Sequence, residues 1–378
     1  MAPKKKNEPQ MNVDALLEIF RAELGKFEGN KVEGYIPTGC DILDYAIANV
    51  ENGGYPMGRI IEISGGEASG KSLLAYHAIA NTQKMGGFCV YIDTERAGNQ
   101  VFMERMGIDY KRLFQPKKIP SNIEEVFAFI EKIIVVARTH VKNNDIPVLI
   151  VWDSVAATVG KGDVETQHTD PYQMANEARA MSRGLRKIIE ALDTGKITLI
   201  CINQIREKIA TMAFGDKTIT AHGKALPFYA SLRIKLQSVG QIKDTKTETT
   251  IGVNTRAKVF KNKIGPNFRE VEFPLYYDWG IGNEISWLEF LKDSGYITGP
   301  AKGNKILALP DGKEYEFRGS INAWTDLLKE NPEISKAIPG IIKNHMIVSF
   351  ERKPETIEID TESLMEVEQL KEDLAGKY

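Results

Sequence analysis

Gly65-Gly66-Glu67-Ala68-Ser69-Gly70-Lys71-Ser72 decides how this chain is read. The apolar run Arg59-Ile60-Ile61-Glu62-Ile63-Ser64 precedes it, and Leu73-Leu74-Ala75-Tyr76-His77-Ala78-Ile79-Ala80 follows. Strand, glycine-rich turn and helix in that order, with the spacing G-x-x-x-x-G-K-S, make a phosphate loop. Each part has a chemical task. Glycines let the backbone curl until successive amides point at phosphate oxygens. The first helical turn adds unpaired N–H groups and the positive end of the helix dipole. Lys71 reaches the outer phosphates, and the Ser72 hydroxyl suits Mg²⁺. The stretch is a nucleoside triphosphate site.

Working outward, short apolar runs alternate with helical patterns from Tyr35 to Leu236. Strands are expected at 60–64, 87–93, 147–153, 197–203 and 231–236, and helices at 71–85, 99–106, 121–141 and 174–193. Unbroken β-branched runs separated by helices predict an α/β fold, a mostly parallel central sheet with helices on both faces. Ligands of such sheets gather at the carboxyl ends of the strands, and polar residues stand there. One run ends in Asp93-Thr94-Glu95, where a carboxylate just past the strand activates water against a terminal phosphate; Glu95 is the expected base. Another ends in Asp153-Ser154 after five apolar residues; Asp153 is the acid expected to hold Mg²⁺ through its water shell. A third ends in Asn203-Gln204, amides able to hydrogen-bond a terminal phosphate without adding charge.

The segment 205–223 is long and polar for a simple connection. It mixes Arg206, Lys208 and Lys217 with Ile209 and Phe214. A second irregular segment, 160–173, follows Asp153. Loops leaving the sheet just past the phosphate contacts suit a DNA surface, with apolar side chains against bases and cations on phosphates; unpartnered surface loops are the plainer alternative. Residues 251–276 carry Arg256, Lys258, Lys261 and Lys263 in an alternating strand, with Lys261 and Lys263 on one side and Asn262 on the other. It reads either as an exposed edge protected by lysine or as a carrier of cations to phosphate, across a subunit boundary or on DNA.

Composition excludes several classes. With 42% hydrophobic and 26% charged residues, the chain is that of a soluble globular protein. No apolar run approaches the roughly 20 residues of a membrane helix, and the basic start Met1 to Lys6 lacks the apolar core of a secretory signal. Cys40, Cys89 and Cys201 fit reduced thiols of a cytoplasmic protein better than a disulfide framework. Residues 351–378 hold nine acids against four bases, which leaves a net +3 on the rest of a chain whose total is −2. A mildly basic body with an acidic tail suits a nucleic-acid protein, or a tail that only aids solubility. Apolar residues at helical spacing from Val13 to Phe27 predict an amphipathic helix. The expected organisation is an N-terminal helix and linker (1–34), a nucleotide-binding core (35–280), a small α+β domain (281–350) and a disordered acidic tail (351–378).

These residues, in this order, resemble the RecA-type DNA strand-exchange recombinases of bacteria over roughly residues 34–345. The resemblance is carried by Pro56-Met57-Gly58-Arg59-Ile60, the phosphate loop, Trp152-Asp153-Ser154-Val155-Ala156-Ala157, Ile202-Asn203-Gln204-Ile205-Arg206, Phe228-Tyr229-Ala230-Ser231 and Val259-Phe260-Lys261-Asn262-Lys263-Ile264. It implies an ATP- and Mg²⁺-dependent enzyme that polymerises on single-stranded DNA and pairs that strand with a homologous duplex. Glu95 matches the catalytic glutamate, Phe102 the ring that stacks on adenine, and Gln204 the sensor of the terminal phosphate. Lys261 and Lys263 match lysines inserted into the neighbouring subunit's ATP site, and the N-terminal helix the element that docks on an adjacent subunit. In the DNA loops Met174 and Ile209 match the side chains that separate base triplets, and Arg179, Arg186, Arg206 and Lys208 the phosphate contacts. Single-strand-binding and loading proteins are further partners of such filaments.

There are departures as well. Arg96 and Asn99 stand for a usual His and Asp beside the nucleotide, so adenine contacts differ, with Asn99 the residue in place. Gln237 and Ser238 replace two arginines of the secondary DNA site, which either shifts duplex capture toward Lys235, Arg256 and Lys258 or weakens it. The first DNA loop is dissimilar apart from Met174, as suits a phage-encoded relative. Two other readings share the ATP site: a ring helicase of the same fold and a non-catalytic, ATP-switched recombination mediator.

Overall fold

The computed structural model describes residues 21–22, 32–140, 146–160, 171–194, 196–207, 218–220, 223–244, 246–300 and 302–348. Its strands are β1 (Tyr35–Ile36), β2 (Tyr55–Pro56), β3 (Ile60–Gly65), β4 (Phe88–Asp93), β5 (Leu113–Phe114), β6 (Val148–Asp153), β7 (Ile197–Glu207), β8 (Thr218–Thr220), β9 (Leu232–Lys243), β10 (Thr250–Asn262), β11 (Arg269–Tyr276), β12 (Gly280–Ile281), β13 (Ile297–Thr298), β14 (Asn304–Ala308) and β15 (Glu314–Arg318). The main sheet runs β12-β11-β10-β9-β3-β7-β6-β4-β5, with β8 paired to β7. From β9 to β5 its neighbours are parallel, and from β9 to β12 antiparallel. The expected α/β sheet is present, with an antiparallel extension.

Strand alternation explains how both faces are covered. In β4, Val90 and Ile92 join the cluster beneath the helices Ile123–His140 and Pro171–Thr194, beside Phe127, Ile130, Met181 and Leu185. Their neighbours Cys89 and Tyr91 turn the other way, toward the helix Lys71–Lys84. There Cys89 Sγ donates to Ile79 O at 3.5 Å and Tyr91 meets Tyr76. Full burial of each large apolar side chain contributes about 1.5–3 kcal/mol, so this core anchors β3, β4, β6 and β7, the strands that lead to the phosphate loop, Asp93, Asp153 and Gln204.

Three expectations change. β7 continues to Glu207 rather than stopping at Asn203, and Ile205, Arg206 and Glu207 pair antiparallel with Thr220, Ile219 and Thr218. The base of the second loop is therefore a hairpin, because Gln204 to Glu207 keep an extended, alternating pattern. The basic strand of 251–276 is no edge: β10 lies between β9 and β11. The helix expected at 174 begins at Pro171, where proline's fixed φ suits a first helical turn.

After β12 the helices Asn283–Asp293, Ile321–Glu330 and Pro332–Met346 accompany the antiparallel sheet β13-β14-β15. This α+β part meets the short helix Asp41–Ala48: Trp287 Nε1 donates to Asp41 Oδ2 at 2.9 Å, and Tyr45 OH to Pro339 O at 3.3 Å. Of the expected N-terminal helix, Arg21 and Ala22 are described, both helical. The tail 351–378 lies outside the described residues.

Candidate active site

The phosphate loop joins β3 to the helix Lys71–Lys84. Ala68 and Gly70 adopt positive φ, +52° and +91°, which turns consecutive amides inward. Gly70 is also sterically required, since a Cβ there would stand 2.1 Å from Leu275 Cδ1. Ser69 Oγ donates to Gly66 O at 2.9 Å and Thr255 Oγ1 to Ser69 O at 3.3 Å, pinning the loop from inside and from β10. Gly65 closes the strand, Gly66 faces open space, and Glu67 is exposed. Lys71 Nζ donates to Gly66 O at 2.6 Å. Burial pulls its ammonium below the usual pKa against the attraction of Asp153, Glu95 and Glu67.

The strand ends converge on this loop. Asp93 pairs with Asp153 across β4 and β6, and Gly65 with Gln204 across β3 and β7. Ser72 Oγ donates to Asp153 Oδ2 at 2.9 Å. Burial pushes the Asp153 carboxyl up to about 6, hydrogen bonds from Ser72 and Tyr91 pull it down, and the charges of Glu95 and Asp93 push it up again. Glu95 Oε1 accepts a short hydrogen bond from Ser154 Oγ, and Gln204 Nε2 stands 3.4 Å from the same oxygen. The expected base and the expected phosphate sensor thus meet on one atom. In the sequence Ser154 stands out only as the residue after Asp153; in the fold its hydroxyl holds the Glu95 carboxylate. Thr94 Oγ1 donates to Ser154 O at 2.9 Å, locking the two strand ends together.

Beyond β4, Asn99 Oδ1 accepts from Phe102 N at 3.1 Å and caps the helix Gln100–Arg105. Asp93 accepts from Ala97 N and Gly98 N and shapes the turn before it. The Phe102 ring lies edge-on to Tyr76 with centroids 6.1 Å apart.

The donor set fits a hard divalent cation, which takes oxygen ligands and keeps water and phosphate oxygens in its shell. Ser72 and Asp153 supply protein oxygens. Among the described residues no three His, Cys, Asp or Glu side chains gather as a metal cluster. A cavity of about 1000 Å³ lies elsewhere, between β9–β11 and the helix Asn283–Asp293. Chemistry, not concavity, marks the nucleotide site.

Lys261 and Lys263 sit apart from this loop. Lys261 Nζ donates to Pro227 O and Phe228 O at 2.7 and 2.8 Å. Burial, then Lys263 and Arg233, lower its pKa to about 8, while Glu62 raises it. Lys263 is exposed and Asn262 buried, the two-sided arrangement read from the alternation.

Arg179 and Arg186 are exposed on the helix Pro171–Thr194, with Arg179 NH1 donating to Asn176 Oδ1 and Arg186 Nε to Tyr229 OH. Arg183, exposed between them, was missed although its spacing marks the same helical face. Met174 falls on the backbone of that helix and Arg206 on β7. Lys208, Ile209 and Phe214 lie outside the described residues. Arg256 and Lys258 are paired across the ladder with Glu272, at 2.6 Å, and with Glu270.

The family model for the RecA N-terminal domain matches residues 19–282. Protein RecA of Streptomyces avermitilis is 35% identical over 337 residues, 89% of this chain and 82% of the relative. Protein RecA of Cutibacterium acnes is 36% identical over 335 residues, 89% of each chain. Protein RecA of Streptomyces rimosus is 37% identical over 324 residues, 85% of this chain and 79% of the relative.

Proposed function

The chain belongs to the RecA family of bacterial DNA strand-exchange recombinases, and from that premise we propose how its own residues carry out ATP-dependent homologous pairing. The protein is a DNA-dependent ATPase that acts in homologous recombination and strand exchange. The loop Gly65–Ser72 cradles the phosphates of ATP and Lys71 neutralises the outer ones; Ser72 with Asp153 would hold Mg²⁺, which would supply further charge neutralisation on the phosphates. Phe102 and the turn capped by Asn99 receive the base. Glu95 takes the proton of the attacking water, and Gln204 contacts the terminal phosphate.

One observation carries this reading: Gln204 and Ser154 meet on Glu95 Oε1. A phosphate contact that draws Gln204 away changes how the base is held. Because β7 leads directly from Gln204 into the hairpin with β8, the same displacement is passed to the second DNA loop. The effect of ATP on DNA binding by that loop, and of DNA on Gln204, are two sides of one coupling.

The filament is helical and homo-oligomeric, each site being completed by Lys261 and Lys263 of the next subunit. Met174, Arg179, Arg186, Arg206, Lys208, Ile209 and Phe214 line single-stranded DNA, with Arg256 and Lys258 serving the duplex. Stacking and Coulomb contacts tolerate any sequence, so base pairing selects the partner. Among the described residues no helix is long and apolar enough to cross a membrane; the cytoplasm is the proposed location, with single-strand-binding and loading proteins as partners. The test is ATPase activity with and without single-stranded DNA. Stimulation in the wild type, with Glu95→Gln forming filaments but not turning over, is expected. Unstimulated hydrolysis would overturn the reading.

A further inference from the structure

A line of hydroxyls runs behind the phosphate loop, from the metal-side carboxylate toward the base side. Tyr91, in β4, is 1% exposed. Its hydroxyl donates to Asp153 Oδ2 at 3.0 Å, the oxygen that also accepts from Ser72. Tyr76 lies one helical turn past Ser72 and is also buried, at 5% exposed, and its hydroxyl oxygen stands 3.3 Å from that of Tyr91. With the Tyr91 hydrogen committed to the carboxylate, the hydrogen between the two tyrosines comes from Tyr76. The rings meet edge-on at 5.7 Å, and Tyr76 meets Phe102 edge-on at 6.1 Å.

Packing alone does not account for these hydroxyls. Phenylalanine would fill either space with the same ring, and a buried hydroxyl is costly unless it is hydrogen-bonded. What the hydroxyls add is orientation. Two donors on Oδ2, one from the loop helix and one from β4, fix the plane of the Asp153 carboxylate and would leave its other oxygen to the water shell of a bound cation. Outer partners of this kind are known to set how well a ligand holds its metal.

We propose that Tyr91 is a positioning residue for Asp153, and that the Tyr91–Tyr76 bridge couples this carboxylate to the base-stacking ring of Phe102. The proposal rests on the roles given to Asp153 and Phe102 above. Binding of the base presses on Tyr76, Tyr76 sets the angle of the Tyr91 hydroxyl, and the hydroxyl sets the carboxylate.

The test is binding of a fluorescent ATP analogue to the full chain, titrated with Mg²⁺ and repeated in EDTA. Tyr91→Phe should raise the Mg²⁺ concentration at half-maximal binding about tenfold, the lower end of what loss of an outer-shell partner does. Binding in EDTA should stay within about twofold of wild type, since the ring and the loop remain. Tyr76→Phe should move the midpoint the same way by less, and the double variant should match Tyr91→Phe alone because both act along one chain. An unmoved midpoint in Tyr91→Phe, an equal loss in EDTA, or additive effects of the two variants would each overturn the proposal. Wild-type protein that binds no ATP analogue would instead remove the nucleotide-site reading itself.

Discussion

Lys261 pairs with Arg233 across β10 and β9, on a rung well removed from the phosphate loop of its own chain. Arg233 in turn pairs with Glu62, three residues before Gly65. Two strand spacings of about 4.8 Å sideways and three residues of about 3.3 Å back put the Lys261 Cα roughly 14 Å from Gly65. Its ammonium is also turned to Pro227 O and Phe228 O. A lysine so placed does not reach the phosphate loop of its own chain, which is why it is assigned above to another copy's site.

The first prediction follows from that separation. Lys261→Ala and Lys263→Ala should each lower DNA-stimulated turnover by on the order of 10²-fold or more, as loss of a cation supplied in trans does. Binding of ATP to the isolated subunit should persist. Mixing the double lysine variant with Glu95→Gln should restore part of the activity, because one subunit then offers an intact loop and base and the other intact lysines. No recovery in mixed filaments would place both lysines in cis.

Glu62 and Arg233 supply the second. Glu62 is fully buried, and its carboxylate accepts from Arg233 Nε on one oxygen and from Asn203 Nδ2, at 2.9 Å, on the other. The Arg233 guanidinium also lies over the Phe260 ring at 4.3 Å. Removing one partner of a buried pair strands the other charge, so Glu62→Ala should cost about 3–5 kcal/mol in urea unfolding. The exposed Arg105–Asp278 pair is the comparison; Asp278→Ala should cost less than about 1 kcal/mol. Equal costs would mean that the β3–β9 pair is solvated in solution.

Much of this site was legible because two signals coincide at strand ends. Asp93, Asp153 and Asn203 each close an apolar run, where the hydrophobic period stops and the ligand chemistry begins. The hairpin β7–β8 was hidden because polarity after Asn203 reads as a loop, while the pairing of Arg206 with Ile219 is a tertiary fact. The edge reading of β10 failed for the same reason: only the register with Arg269–Tyr276 shows that another strand lies outside it. Tyr76 and Tyr91 read as ordinary core aromatics. Their hydroxyls acquire meaning only when β4, β6 and the loop helix are packed together, bringing Tyr91 to an aspartate 62 residues away.

His77 gives a pH prediction. Its Nε2 accepts from Ile281 N at 3.0 Å, and Gly280, at φ +87°, leaves no room for a Cβ beside the ring. Burial, then Lys84, lowers the imidazole pKa from 6.5 to about 4. At His77 the unfolded chain therefore binds more protons than the folded one between about pH 4 and 6.5, and this residue's contribution to stability rises with pH across that window, against the opposite trend of the raised Asp153 carboxyl. On the acid side the loss from this residue amounts to about 3 kcal/mol. His77→Gln keeps an acceptor without the titration, so the stability of the wild type relative to the variant should rise with pH over that range in urea unfolding at stepped pH. An unchanged slope would show that His77 opens to water.

Arg179, Arg183 and Arg186 recur at helical spacing on one exposed face, whereas Arg256 and Lys258 already face Glu272 and Glu270. Each cation that meets a phosphate of single-stranded DNA releases counterions and adds about 0.7 to the steepness of log K against log salt. Replacing any one of the three helix arginines by alanine should therefore reduce that slope by about 0.7, equally for all DNA sequences. Arg256→Ala and Lys258→Ala should change it less, because a carboxylate on the neighbouring strand offsets their charge in the free protein. The measurement is anisotropy of a labelled oligothymidine over a salt series, with a slowly hydrolysed ATP analogue present. Slopes that fall for Arg256 and Lys258 but not for the helix arginines would route the single strand along the β10–β11 ladder instead, and would leave the helix face to the duplex.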